Sequence, residues 1–171
     1  MCGRVIIQGG KVMVKEGIAI QDEYADEFAW CYGCGRLNEA GHHFRTFWQG
    51  EKTRTEYQPK DEHKAIPGFV YGGVLASLVD CHGTGSAALA LHRKNGHEPG
   101  DGAEPPRFVT ASLHLDFMKP TPQGVPLTAI GTVEEVHPKK WKVHAEVFAG
   151  EECVVKGEVV AVVMPKTFQN A

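Results

Sequence analysis

The sequence predicts an α+β fold in which one long central helix is wrapped by a single antiparallel β-sheet. Three observations carry that expectation. Only one segment, from Gly72 to about His92, reads as a long helix. Four β-branched runs joined by short turns follow it, and a hairpin-like pair of runs precedes it. A lone helix must bury its apolar side, and one antiparallel sheet is the layer on offer.

Residues 1–40 read as an N-terminal extension, with a short strand over Lys11 to Val14 and a short acidic helical stretch over Asp22 to Phe28. The main domain is expected over 41–168. His43 to Tyr57 forms two runs around Gln49-Gly50-Glu51, with Phe44, Thr46 and Trp48 alternating against His43, Arg45 and Phe47, which predicts a hairpin. A break follows at Pro67-Gly68, and Gly72-Gly73 opens the helix. Gly83, Gly85 and the alanines at 76, 87, 88 and 90 predict that neighbouring backbone approaches it closely.

Asn95 to Arg107 is a loop rich in Gly, Pro and acid. Phe108 to Met118 alternates, placing Val109, Ala111, Leu113, Leu115 and Phe117 on one face and Thr110, Ser112, His114 and Asp116 on the other. Leu127 to Val136, Trp141 to Ala149 and Cys153 to Met164 complete an antiparallel meander with turns at Pro138-Lys139-Lys140 and Gly150-Glu151-Glu152.

Length and composition narrow the function. A chain of 171 residues supports one ordinary domain, and 20 glycines with 10 prolines stay below a low-complexity level. The 18 basic residues against 21 acidic ones lack the basic excess that gives nucleic-acid binders their phosphate affinity. The longest unbroken apolar run, Val159 to Met164, is far short of a spanning segment, and the start of the chain lacks a signal-peptide core. No membrane partner is expected. Five scattered cysteines are not a secreted disulfide framework, so a cytoplasmic location is expected.

The chemistry-bearing segment is Pro67-Gly68-Phe69-Val70-Tyr71-Gly72-Gly73, with Asp80 seven residues beyond the second Gly. It resembles the helix-start motif of PaaI-like hotdog-fold acyl-CoA thioesterases, in the 4-hydroxybenzoyl-CoA thioesterase superfamily, where Pro-Gly-x-x-His-Gly-Gly precedes a carboxylate at that distance. Leu113 to Pro122 resembles the strand after the family's helix. Cys31-Tyr32-Gly33-Cys34-Gly35 through Gly41 resembles an N-terminal turn of many members. The resemblance implies the hotdog fold and hydrolysis of a small or medium acyl- or aryl-acyl-CoA without a cofactor. It implies an obligate homodimer with shared sites, and leaves open a tetramer built as a dimer of dimers.

The same residues have a physical reading of their own. Gly72-Gly73 lacks a capping side chain, so the first amides of the helix are free to meet charge developing on a thioester oxygen, each such donor contributing a few kcal/mol. Asp80 lies eight residues past Gly72, about 12 Å further along one helix, so both can serve one carbonyl only across two chains. Asp80 is a candidate general base or nucleophile, a choice the sequence leaves open. Ser77 and Thr84 share its helix face and are candidates to orient it.

By the resemblance, Thr110 holds the position of a Ser or Thr that helps place the attacking water. Tyr71 replaces the family's usual His, and His63 stands where relatives often carry a loop-orienting His. Arg107, Lys119, Lys139 and Lys140 are candidate contacts for the coenzyme's phosphates. Cys31-x-x-Cys34 with His42 and His43 resembles a zinc knuckle, but adjacent histidines suit one tetrahedral ion poorly, so no metal is expected. Asp80-Cys81-His82 is not a triad, because consecutive helix residues point about 100° apart. Cys81 reads as a small apolar filler. The competing functions are a hotdog hydratase or dehydratase, pairing His63 with Asp80, and a non-catalytic acyl-CoA-binding protein.

Overall fold

The computed structural model describes residues 17–170, together with two short strands, β1 (Ile7–Gln8) and β2 (Lys11–Val12), that pair antiparallel. The strand expected over Lys11 to Val14 is present only as Lys11–Val12, and Met13 and Val14 lie outside the described residues. The acidic stretch from Asp22 to Phe28 is not one helix. It forms two 3-10 turns, Ile20–Glu23 and Asp26–Phe28, because extended backbone at Tyr24 and Ala25 separates them.

The hairpin is β3 (Thr46–Gln49) and β4 (Lys52–Tyr57), turning at Gly50-Glu51 where Gly50 takes a φ of +63°. The long helix is α1 (Gly72–Lys94). Four strands follow: β5 (Phe108–Phe117), β6 (Leu127–His137), β7 (Lys140–Ala149) and β8 (Glu152–Val163). They join the hairpin in one antiparallel sheet of order β3-β4-β6-β7-β8-β5, and α1 packs across all six strands, as the sequence predicts.

The core lies between helix and sheet. Val74, Leu75, Leu78, Val79 and Leu89 of α1 meet Leu127, Ala129, Val143, Val147, Val155, Val159 and Ala161. Helix α1 is long and apolar enough to cross a membrane by length and composition, and 72% of that stretch is buried inside the fold. The helix glycines answer to side chains rather than to backbone. A Cβ at Gly83 would strike Val159, and one at Gly85 would strike Gln21 and Thr46.

Residues of the expected N-terminal extension share this core. Ile20, Gln21 and Tyr24 are buried, and Gln21 grips β3 by donating from Nε2 to Thr46 Oγ1 at 2.8 Å and accepting the Thr46 amide at 2.8 Å. The polar chain continues inward. Thr46 Oγ1 is 3.0 Å from Thr55 Oγ1, which is 2.9 Å from His82 Nδ1 on the helix. Ser86 Oγ donates to the His82 carbonyl at 2.6 Å and lies 2.6 Å from Thr53 Oγ1. Gln21, Thr46, Thr53, Thr55, His82 and Ser86 therefore all find partners within this buried network, as low-dielectric burial demands.

One strand departs from simple alternation. Thr110 pairs with Ala161 and Ser112 with Val160, neighbours on β8, so Ala111 is an extra residue in a β-bulge. Paired residues share a face. Thr110 therefore joins Leu113, Leu115 and Phe117 on the side of the buried Val159 and Ala161, while Val109 and Ser112 lie on the outer side. The expected grouping of Val109 with Leu113 is thus corrected at the bulge, because the extra residue reverses the parity of everything before it.

Candidate functional site

The loop before α1 is held in place from two directions. The Tyr71 amide donates to the His63 carbonyl at 2.8 Å, and the Val70 amide donates to the Thr121 carbonyl at 2.9 Å. Gly68 takes a φ of +90°, a conformation that turns the chain there and disfavours other residues. His63 is occupied within this loop. Its Nδ1 accepts the Lys60 amide at 3.1 Å and lies 3.0 Å from the Tyr57 hydroxyl, so its place is structural support for the helix start.

Tyr71 is the residue before the helix and caps it with no side-chain hydrogen bond. Among the described residues, the Gly72 and Gly73 amides make no hydrogen bond, while the next two amides donate back to the Tyr71 carbonyl at 3.0 and 3.5 Å. The positive end of a 23-residue helix is therefore presented through two bare amides. The half-exposed Tyr71 ring lies over Gly73, where any Cβ would collide with it. Phe117 from the end of β5 stands beside Gly72, 3.4 Å from where a Cβ would be.

Asp80 sits two turns along α1, half-buried, and accepts a hydrogen bond from the Thr110 hydroxyl at Oδ1. The bulge at Ala111 is what aims Thr110 inward. Burial pushes the Asp80 carboxyl above the ordinary aspartate range, against the opposing pull of the Thr110 hydroxyl, and the nearby Cys31 adds to the rise. A half-buried carboxylate with one oxygen fixed by a donor and its basicity raised is equipped to take a proton from water or to attack an acyl carbon.

Two expected supports lie elsewhere. Ser77 Oγ donates to the Gly73 carbonyl at 2.9 Å, and Thr84 Oγ1 donates to the Asp80 and Cys81 carbonyls at 3.2 and 3.3 Å. Both hydroxyls serve the helix backbone rather than the Asp80 carboxylate, the usual fate of such residues within a helix.

The four candidate phosphate contacts do not converge within one chain. Lys119 is bonded to β8 at Val154 and Lys139 to β8 at Val163, positions nine residues apart and so about 30 Å along a strand. Lys140 follows Lys139 as the exposed first residue of β7, and Lys119 is paired with Glu152. Arg107 is half-buried with its guanidinium 4.3 Å above the Tyr24 ring, turned inward rather than toward solvent. A concavity on the outer face of the sheet, lined by Thr132, His144, Glu146 and Lys156, contains none of these residues and none of the Asp80 site.

One grouping escaped the sequence. Cys81 is buried in the core as expected, and its Sγ atom also lies within 4.8 Å of those of Cys31 and Cys34, which lie equally close to each other. The thiols share their protons unequally. Hydrogen bonds from Cys34 and Cys81 hold Cys31 far below the ordinary thiol range, and donating to Cys31 pushes Cys34 up to about 11 and Cys81 up as well. A Cys at the residue after a candidate acid, together with a distant Cys-x-x-Cys, was the available signal.

Comparison with known proteins adds to this geometry. Residues 67–156, more than half of the chain, match the Thioesterase superfamily. The chain is 41% identical to a solved Thioesterase superfamily protein from Shewanella loihica, with a TM-score of 0.62 over 82% of this chain and 98% of that one. A thioesterase from Haemophilus influenzae shares the fold at 14% identity, with a TM-score of 0.60 over 77% of this chain and 85% of that one. An uncharacterized protein from Pyrococcus horikoshii shares it at 21% identity, with a TM-score of 0.57 over 86% and 95%. No curated protein matches.

Proposed function

The chain belongs to the Thioesterase superfamily and has its hotdog fold, and from that premise we propose that it is an acyl-CoA thioesterase acting on a small or medium acyl or aryl-acyl group, in the manner of the PaaI-like branch. The observation that carries the proposal is the Asp80–Thr110 pair, a carboxylate of raised basicity anchored at one oxygen on the helix that also presents bare amides.

In the hydrolytic step, ionised Asp80 takes a proton from water as the hydroxide adds to the thioester carbon. The carbonyl electrons move to oxygen and are met by the Gly72 and Gly73 amides. Collapse re-forms the carbonyl, breaks the carbon–sulfur bond and releases the thiolate, which takes back the proton held by Asp80. The alternative order has Asp80 attack the carbon itself and expel the thiolate, forming an anhydride that water then cleaves. Water enriched in ¹⁸O separates the two. In a single turnover, only cleavage of the anhydride at the Asp80 carbonyl leaves label in the protein.

Asp80 and Gly72 stand about 12 Å apart along one helix, so the proposal includes a homodimer in which the carboxylate of one chain works at the helix start of the other. The exposed apolar residues Tyr71, Leu113, Phe117 and Met118, gathered at the helix start and along the edge strand β5, support a covered surface there.

The test is thiol release from acetyl-, hexanoyl-, lauroyl-, benzoyl- and phenylacetyl-CoA, with water addition to crotonyl-CoA measured in parallel. Thiol release from one or more of the five, with no hydration, supports the proposal. Hydration without thiol release reassigns the protein as a hydratase, and tight binding without either reaction reassigns it as a binding protein.

A further inference from the structure

Three sulfur atoms meet beside the candidate acid, and thioester hydrolysis uses none of them. Cys31 and Cys34 come from the turn Cys31-Tyr32-Gly33-Cys34-Gly35, and Cys81 comes from α1 at the residue after Asp80. We propose that Cys31, Cys34 and Cys81 are three ligands of a zinc ion that fastens the N-terminal turn to the catalytic helix.

The spacing fits the ion. Zinc–sulfur bonds of about 2.3 Å in a tetrahedral site place the sulfurs about 3.8 Å apart. Cys31 Sγ and Cys81 Sγ are 3.8 Å apart, and all three sulfurs lie within 4.8 Å. A set of three thiolates selects thiophilic cations over calcium or magnesium.

Glycines let the turn close around the sulfurs. A Cβ at Gly35 would fall 2.5 Å from the Ala29 carbonyl oxygen, and one at Gly33 would collide with the Cys81 sulfur itself.

Charge gives an independent argument. Three thiolates around Zn²⁺ carry one net negative charge. Arg107 is half-buried with its guanidinium 4.3 Å over the Tyr24 ring, and among the described residues it forms no salt bridge with a carboxylate. A buried guanidinium without a carboxylate needs a counter-charge, and the zinc–thiolate centre supplies one. The neighbouring histidine is not needed: His42 Nδ1 is 2.9 Å from the Tyr57 hydroxyl, and its ring packs against Tyr32 and Phe44. Cys34 and Cys81 are 2% and 4% exposed while Cys31 is partly open, so solvent reaches the cluster at Cys31, and a water would complete the coordination.

Cobalt(II) is the probe. The reduced, metal-free full chain is titrated with Co²⁺ and then with Zn²⁺, with circular dichroism recorded for every variant. The expected result is one Co²⁺ per chain, with sulfur-to-cobalt charge-transfer absorption and the visible bands of a tetrahedral site, all bleached by zinc. The charge-transfer absorption falls by about a third or vanishes in Cys34→Ala and in Cys81→Ala, each removing one of three thiolates. Cys153→Ala leaves it unchanged. Absence of the absorption in the folded, reduced wild-type chain overturns the proposal, as does absorption that both variants leave intact. A disulfide between Cys31 and Cys34 or Cys81 that forms in zinc-containing buffer, seen by mass spectrometry, overturns it as well. Metal uptake is read without acyl-CoA, so its failure leaves the thioesterase proposal standing.

Discussion

Asp80 and His82 stand two residues apart on the same helix and live in opposite surroundings. His82 faces the sheet, is fully buried, and has Thr55 on Nδ1 at 2.9 Å with Thr53 and Ser86 beside it. Asp80 faces the edge strand, keeps part of its surface open, and spends one carboxylate oxygen on Thr110. Burial shifts both, lowering the histidine to about 3 and raising the aspartate. Burial holds the histidine in its neutral form inside a closed polar chain, whereas the aspartate keeps a free oxygen and access to solvent. A perturbed group becomes a candidate for chemistry only when it also has an unspent valence facing outward.

The largest effect that breaks this comparison is at Asp80. Asp80→Asn keeps the Thr110 contact and the shape but removes the base, and thiol release is expected to fall by about 10²-fold or more. Circular dichroism and sedimentation should match the wild type. Equal rates in the two proteins would remove Asp80 from the reaction.

His82 answers to stability. The unfolded chain takes up a proton on this side chain near pH 6.5, while the folded chain holds it off until about 3. Its contribution is therefore fully present above pH 6.5 and is lost as the pH falls through that window, at about 1.4 kcal/mol per pH unit. Urea unfolding at pH 7, 6 and 5 should show this slope in the wild type and a shallower one in His82→Gln. Identical slopes would show that the imidazole charges without unfolding.

Smaller effects are expected around the carboxylate. Thr110→Val removes the one side-chain donor to Asp80 among the described residues and is expected to lower kcat/KM by roughly 10-fold, the order of one hydrogen bond to a charged group. Ser77→Ala should change the rate by less than about 2-fold, because its hydroxyl bonds the Gly73 carbonyl and not the acid. A large loss in Ser77→Ala would mean that the helix start depends on that bond.

The fold was legible because its signals are periodic. One helix with a glycine pair at its start, a hairpin around Gly50 and three β-branched runs with short turns lead to one helix on one antiparallel sheet, but not to the edge place of β5 beside β8, which no short turn marks. Asp80 was legible for a similar reason, since its spacing from Gly72-Gly73 resembles a family motif, a match the family comparison extends over residues 67–156. The alternation of β5 misled where a single inserted residue at Ala111 turns Thr110 inward, since a period of two carries no mark of a bulge. The sulfur cluster around Cys81 was not legible because its partners lie 47 and 50 residues away in sequence, at Cys34 and Cys31, and only tertiary folding brings the sulfurs together. Arg107 looked like a surface cation, and the fold turns it onto Tyr24 instead.

The central claim is that ionised Asp80, with its raised basicity, drives hydrolysis. The pH dependence of kcat/KM for thiol release, measured on wild type and Thr110→Val, tests it most directly. The account predicts that the rate falls tenfold per unit as the pH drops through an acid limb lying above the ordinary aspartate range. It also predicts that Thr110→Val moves the limb to higher pH, because the lost hydrogen bond was holding the carboxyl down. A profile that stays level through the acid range, or a limb that Thr110→Val leaves in place, would contradict it.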